Sequence, residues 1–282
     1  MRNLATPLDL PLLTTVLHRC TQALAANGAK VYITGRRMEA LEKAAAEHSP
    51  TDGSGGQIIP IGPCDVTSKL DLTKLAEDLG KKESHLDLLI ANAGVAGPKA
   101  PPDRGDAQEL KDKLWKEEDY QSWNSVFNTN VTAVYFTTVA LLPLLQKGTE
   151  KHGHLSASVI VISSMSGIMR DSQGHFAYNA AKGATVHLSK LMSAEFEKVQ
   201  VRVNSIAPGY FPSELTMKES DERQKSHMPD EKVLDKGHPV PAQRAGSDEE
   251  MAMAVLSLAK NRYVNGEIVA VDGGVLNQVA GR

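Results

Sequence analysis

The sequence predicts an α/β fold, a single doubly wound parallel sheet with helices on both faces. Three observations predict it. From Lys30 onward, short β-rich runs alternate with helical segments, the pattern of parallel strands joined by right-handed crossovers. Turn-type residues then close four of these runs in order: Asp65, Asn92-Ala93-Gly94, Ser163-Ser164 and Pro208-Gly209. Such residues are what strand-to-helix turns need, and an open α/β sheet binds ligands just beyond its strand ends. No linker and no internal repeat interrupts the chain, so one domain over residues 1–282 is expected.

The elements follow in order. Val16, Leu17, Cys20 and Leu24 recur at helical spacing, so a helix is expected over 15–27. Asn27-Gly28 stops it, because Gly accepts a left-handed cap. Residues 30–34 read as a strand, 38–47 as a helix, 49–56 as a Gly-rich loop and 57–61 as a strand. A helix over 69–79 and a buried-type strand over 86–91 come next. Residues 95–118 carry Pro98, Pro101 and Pro102 and read as a surface connection, with a helix near 107–115. Residues 120–145 form an apolar helix, 158–163 a β-branched strand, 175–198 a helix and 199–207 a strand. Residues 210–244 are polar, irregular and suited to a lid. A helix over 248–259 and a strand over 267–271 complete the pattern before Asp272-Gly273-Gly274.

Composition narrows the function. The 282 residues are 41% hydrophobic and 23% charged, with a formal net charge of −3. That balance offers no basic footprint for nucleic acid, so a small molecule is the expected partner. No apolar run reads as long enough to span a membrane, and Asp9 and Pro11 break any signal-peptide core. Cys20 and Cys64 stand 44 positions apart and suggest neither a disulfide framework nor a metal pair. A reducing, cytoplasmic setting is expected. His152 and His154, in Lys-His-Gly-His, lack a neighbouring Cys or carboxylate cluster, so they read as a solvated turn and no metal site is expected.

The strongest chemical signal is Tyr178-Asn179-Ala180-Ala181-Lys182, where Tyr178 and Lys182, four residues apart, share a helix face. A free tyrosine has a pKa of about 10. An ammonium beside it favours the phenolate, which would let the pair act as general acid toward a carbonyl or base toward an alcohol. Alone, Tyr-x-x-x-Lys is equally an ordinary surface pair.

With Ser164 upstream and Asn92-Ala93-Gly94 before that, the chain resembles the short-chain dehydrogenase/reductase family from about Ala23 to Gly274. Residues 204–216 resemble a branch that includes 3-oxoacyl reductases and many fungal carbonyl reductases. The resemblance implies a Rossmann-like fold and hydride transfer between a nicotinamide and a ketone or secondary alcohol. By that resemblance Tyr178 would exchange the proton. Lys182 would lower its pKa and hold the nicotinamide ribose. Ser164 would bind the substrate oxygen, with Ser166 a rival. Asn130 would hold a relay water, with Asn128 a rival. Asp65 and Val66 would contact adenine, and Asn92 and Gly94 would shape the turn under the ribose. Pro208, Gly209, Phe211 and Ser213 would flank the nicotinamide. The resemblance also implies a homodimer or homotetramer through the helices beginning near Tyr120 and His175.

The residues after the 30–34 strand bear on the cofactor. An acidic side chain there would accept a ribose 2′-hydroxyl, but this chain has Gly35-Arg36-Arg37. Arg36 suits a 2′-phosphate, so NADP(H) is expected. The N-terminus departs from the family. No glycine precedes Gly28, so the Gly-rich phosphate turn is missing. Residues 1–14 are atypical: Leu8 to Leu13 could fill the first strand, but Pro11 is poor in a central strand. Thr14 and Thr15 offer helix caps. Two further readings therefore stand beside the reductase. One is a non-catalytic binding protein, or the product of a defective gene model, that has lost its cofactor. The other is a flavodoxin-like signalling domain, which leaves Tyr178 and Lys182 unexplained. Substrate identity would be set by residues 210–244, where Met217, Met228 and Val233 suggest an apolar pocket.

Overall fold

Seven parallel strands form one sheet in the order β3-β2-β1-β4-β5-β6-β7. The computed structural model describes residues 11–15, 18–51, 53, 55–100, 105–212, 229 and 239–279. The strands are β1 (Pro11–Thr15), β2 (Lys30–Thr34), β3 (Gln57–Pro60), β4 (Leu88–Ala91), β5 (Ser158–Ile162), β6 (Arg202–Pro208) and β7 (Ile268–Val271). The helices are α1 (His18–Ala26), α2 (Met38–His48), α3 (Lys69–Lys82), α4 (Ala107–Glu117), α5 (Tyr120–Phe127), α6 (Ala133–His152), α7 (Phe176–Phe196), α8 (Asp248–Lys260) and α9 (Val275–Gln278).

The strand centres are largely apolar because both faces of the sheet are covered. Alternation along each strand sends neighbours to opposite layers. Tyr32, Leu89, Val159 and Val203 pack with Leu75 and Leu79 of α3, Leu141 and Leu145 of α6, and Met192 of α7. Val31, Ile33, Ile90, Ile160 and Ile206 face the other layer, with Leu24 of α1, Leu41 of α2 and Val255 of α8. Side-chain caps fix several helix starts. Ser68 accepts from Asp71 N, Asp106 from Gln108 N and Glu109 N, and Ser247 with Glu250 forms a capping box.

Arg202 ties the far edge together. It is fully buried and donates to Leu155 O, Leu258 O, Ala259 O and Val264 O. Leu258 and Ala259 lie in the last turn of α8, where free carbonyls attract a cation. Burial lowers the Arg202 pKa to about 10, with Arg262 adding to the effect.

Three expectations change. The first strand is present and central: Leu12 and Leu13 pair with β2 on one side and β4 on the other. Pro11 is tolerated because it opens the strand and has no β4 partner. Thr14 and Thr15 belong to this strand, so they do not cap α1, which starts at His18. Finally, the helical stretch Tyr120–His152 is by length and composition apolar enough to cross a membrane, contrary to the sequence expectation. One face of it covers the sheet instead, with Leu141, Leu144 and Leu145 buried in the core.

Candidate active site

The chain runs outward from β1 through β2 to β3, then returns to place β4 on the other side of β1. That reversal is a topological switch point, where doubly wound sheets open a crevice beyond the strand ends. The loops after β4, β5 and β6 border it.

Lys182 lies one turn beyond Tyr178 on α7. It is 4% exposed, and its Nζ donates to Ile162 O at 2.9 Å, the last residue of β5. Burial lowers its pKa to about 8. An ammonium has three donors, and Ile162 takes one. Lys182 Nζ sits 5.7 Å from the centre of the Tyr178 ring. A Cβ on exposed Gly94 would lie 3.8 Å from that nitrogen and 3.3 Å from Asn130 Oδ1. The turn after β4 thus presents bare backbone to the ammonium.

Tyr178 is densely surrounded by protein, yet part of its surface stays open. Burial raises its pKa, and a hydrogen bond with the Ser164 side chain works in the opposite direction. The lowered pKa expected from Lys182 is therefore not seen. Desolvation dominates, and the lysine ammonium is directed at a main-chain carbonyl. Ser164 also caps the short 3-10 turn Met165–Gly167 by accepting from Ser166 N at 3.1 Å. Gly167 lets this turn touch α7: a Cβ there would lie 2.4 Å from the Lys182 main chain. Of the two serines, the structure joins Ser164 to Tyr178, while Ser166 is buried in the turn.

Asn130 is fully buried and Asn128 is exposed. Between α5 and α6 the helix widens into a π turn, Asn128–Thr132, with Ala133 N donating to Asn128 O. Such turns often sit at functional sites. The Asn130 amide clamps the Val95 backbone, accepting from Val95 N at 2.8 Å and donating to Val95 O at 2.9 Å. Thr185 Oγ1 donates to Asn130 O. These contacts hold the loop after Asn92 and Gly94 beneath Lys182.

The other sequence-predicted residues line the same edge. Arg36 is exposed after β2. Asp65 Oδ1 accepts from Thr67 N and Oγ1, which holds its carboxyl below the usual range, and Arg36 lowers it further. The loops after β2 and β3 therefore meet, as Cys64 N donating to Gly35 O confirms. Val66 packs partly buried on the core. Asn92 is half-buried. Gly209, next to Pro208, donates to Val271 O at the end of β7, and a Cβ there would lie 2.6 Å from Cα of Asp272, the next residue. The Phe211 ring packs over Gly246. Ser213 and the apolar residues Met217, Met228 and Val233 lie outside the described residues.

Sequence reasoning missed Gln173 and Tyr210. Gln173 has a positive φ of 49°, and its Nε2 donates to Tyr210 Oη at 2.7 Å. This links the loop before α7 to the loop after β6, next to the apolar group Met165, Met169 and Leu276. No spacing rule relates positions 173 and 210.

A nicotinamide dinucleotide fits this edge. The nine-tenths-buried Lys182 has donors left for hydroxyl groups, Gly94 leaves room beside it, and Arg36 offers an exposed cation at the far end.

Comparison with known proteins agrees. The family described as enoyl-(acyl carrier protein) reductase matches residues 18–276. A short-chain dehydrogenase/reductase of Diaporthe leptostromiformis, PhomF, is 36% identical, covering 91% of this chain and 86% of its own. A rhamnolipid-biosynthesis 3-oxoacyl-[acyl-carrier-protein] reductase of Pseudomonas aeruginosa is 32% identical over 90% of this chain and 89% of its own. The solved RhlG/NADP active-site complex of Pseudomonas aeruginosa superposes with a TM-score of 0.77 at 27% identity, covering 97% of this chain and 99% of that one.

Lys182 carries a pH signature. Its folded pKa of about 8 lies below its ordinary 10.5, so between these values the unfolded chain binds a proton that the folded chain does not. Stability conferred through this group then rises with pH. Urea unfolding should show wild type gaining on Lys182→Met from pH 8 to 10.5. A pH-independent difference contradicts the lowered Lys182 pKa.

Proposed function

Because the chain belongs to the short-chain dehydrogenase/reductase family, we propose that it is an NADP(H)-dependent oxidoreductase acting on a ketone or secondary alcohol. The observation that carries this is the buried Lys182 one helical turn from Tyr178, with Ser164 hydrogen-bonded to that tyrosine. The nicotinamide, when bound, supplies or takes the hydride.

The protein's own groups handle the proton. A raised pKa keeps Tyr178 protonated at neutral pH, so the phenol donates to a carbonyl oxygen without prior activation. This favours reduction. Charge left on the phenolate is stabilised by the Ser164 hydroxyl and the nearby Lys182 ammonium. Before the transfer the single Ser164 proton is directed at the substrate oxygen, and it turns to the phenolate once the Tyr178 proton has left. Asn130 positions the loop that carries Asn92 and Gly94. Asp65 and Val66 border the adenine end, and Pro208, Gly209 and Phe211 the nicotinamide end. A 3-oxoacyl thioester is the favoured substrate class, supported by the named activity of the Pseudomonas relative. Tyr178→Phe is expected to cut turnover at least about 1000-fold, the upper part of the range for a lost general acid, with unchanged circular dichroism. Near-parental activity would overturn the assignment.

Arg36 is proposed to read the 2′-phosphate. NADPH should bind more tightly than NADH, and Arg36→Ala should weaken NADPH about tenfold or more while sparing NADH. Equal loss of both would remove this role.

A homodimer or homotetramer is proposed through the outer faces of α5, α6 and α7. Tyr120, Tyr135, Val139, Phe176 and Leu191 are exposed there. Sedimentation should show a dimer or tetramer, and a monomer at micromolar concentration would refute it.

The glycine-free link between β1 and α1 favours a second reading, a protein that keeps the fold but binds no cofactor.

A further inference from the structure

At the opposite edge of the sheet, two histidines and a carboxylate converge. Asp87 immediately precedes β4, and the four residues of that strand separate it from Asn92, about 16 Å away at strand spacing. His85 lies two residues earlier. His152 ends α6. The sequence places His152 in a solvated turn with His154. The structure separates them: His154 faces Gln200 and is exposed, whereas His152 turns toward β4.

The backbone dictates this meeting. A Cβ on Gly148 would lie 2.4 Å from Leu86 O and 3.2 Å from Asp87 Oδ1, so only glycine lets α6 cross so close. His152 follows Gly148 by four residues and shares its face. Leu86 N donating to Leu144 O and Arg262 donating to His152 O fix the crossing further.

The geometry is that of a ligand set. His85 Nε2 stands 3.1 Å from Asp87 Oδ2, and His152 Nε2 stands 3.5 Å from Asp87 Oδ1. The two imidazole Nε2 atoms are 3.3 Å apart. A tetrahedral zinc ion with bonds of roughly 2.0–2.1 Å separates its ligands by about 3.3 Å. The side chains of His85 and Asp87 are only 6% and 4% exposed, and that of His152 is 28% exposed. His85 Nδ1 is held by Ser84 Oγ at 3.0 Å, which orients Nε2 toward the cluster, as supporting hydrogen bonds do in metal sites. Lys151 Nζ also approaches His85 Nε2, at 3.5 Å, but its exposed side chain can withdraw into water.

We propose that His85 Nε2, His152 Nε2 and the Asp87 carboxylate bind one divalent transition-metal cation of the zinc type, pinning the end of α6 to the start of β4. Two imidazoles and a carboxylate suit zinc and cobalt and disfavour magnesium. The site is independent of the catalytic reading.

The test uses the full chain freed of metal by a chelator. Zn2+ is titrated by calorimetry, and Co2+ by the visible absorption of a tetrahedral complex, with Mg2+ as control. One saturable Zn2+ per chain is expected, together with a rise in Tm. Asp87→Asn and His152→Ala should each weaken Zn2+ by more than about tenfold, and His154→Ala should not. If His152→Ala does not fold, His152→Gln replaces it. The proposal fails if folded wild type shows no saturable Zn2+ binding, if Asp87→Asn and the His152 variant bind like wild type, or if only His154→Ala loses the ion.

Discussion

A single buried ammonium sets most of the constraints at the candidate active site. Lys182 can stay inside the protein because β5 ends at Ile162 and offers a carbonyl at 2.9 Å. That register depends on β5 pairing with β4 and β6. The contact also requires α7 to lie against the turn after β5, which Gly167 permits. The same approach brings Ser164 to Tyr178. On the other side, the π turn buries Asn130 and clamps Val95, so Gly94 arrives beneath the lysine. Removing water from an ammonium is unfavourable, as the lowered Lys182 pKa shows. A site maintained at such a cost is expected where charge must be placed, not merely packed.

Much of this was legible in the sequence, for physical reasons. Alternating apolar runs and helical periods reflect which faces are buried, so six of the seven strands and the long helices fell near their predicted positions. Tyr178 and Lys182 were legible because a four-residue spacing fixes two side chains on one helix face. Three matters were not. The π turn at Asn128–Thr132 leaves the hydrophobic pattern on either side intact, so periodicity does not reveal it. The upward shift of Tyr178 depends on how tightly α7 is covered, which spacing does not encode. Pro11 argued against a central strand, yet it opens β1 where no β4 partner is needed.

The cluster of His85, Asp87 and His152 illustrates the same limit. Its members come from the start of a strand and the end of a helix, and only the close crossing at Gly148 unites them. A motif search along the chain sees Lys-His-Gly-His and pairs the wrong histidines. Both edges of β4 therefore carry polar groups of consequence: Asp87 before it, Asn92 and Gly94 after it.

The unusual feature of the chain is the passage from β1 to α1. The strand ends at Thr15 and the helix begins at His18, with Val16 and Leu17 between them. Relatives of this fold place glycines there so that main-chain amides can approach a pyrophosphate. The proposed anchors that remain are Lys182, the bare turn at Gly94 and the exposed Arg36. Under the proposed function, these suffice for the protein to bind a nicotinamide cofactor. Fluorescence titration of the 282-residue chain with NADPH tests this most directly. Saturable binding, displaced by NADP+, is the predicted result. A folded chain that leaves NADPH fluorescence unchanged would contradict the account and make this a sheet without its cofactor.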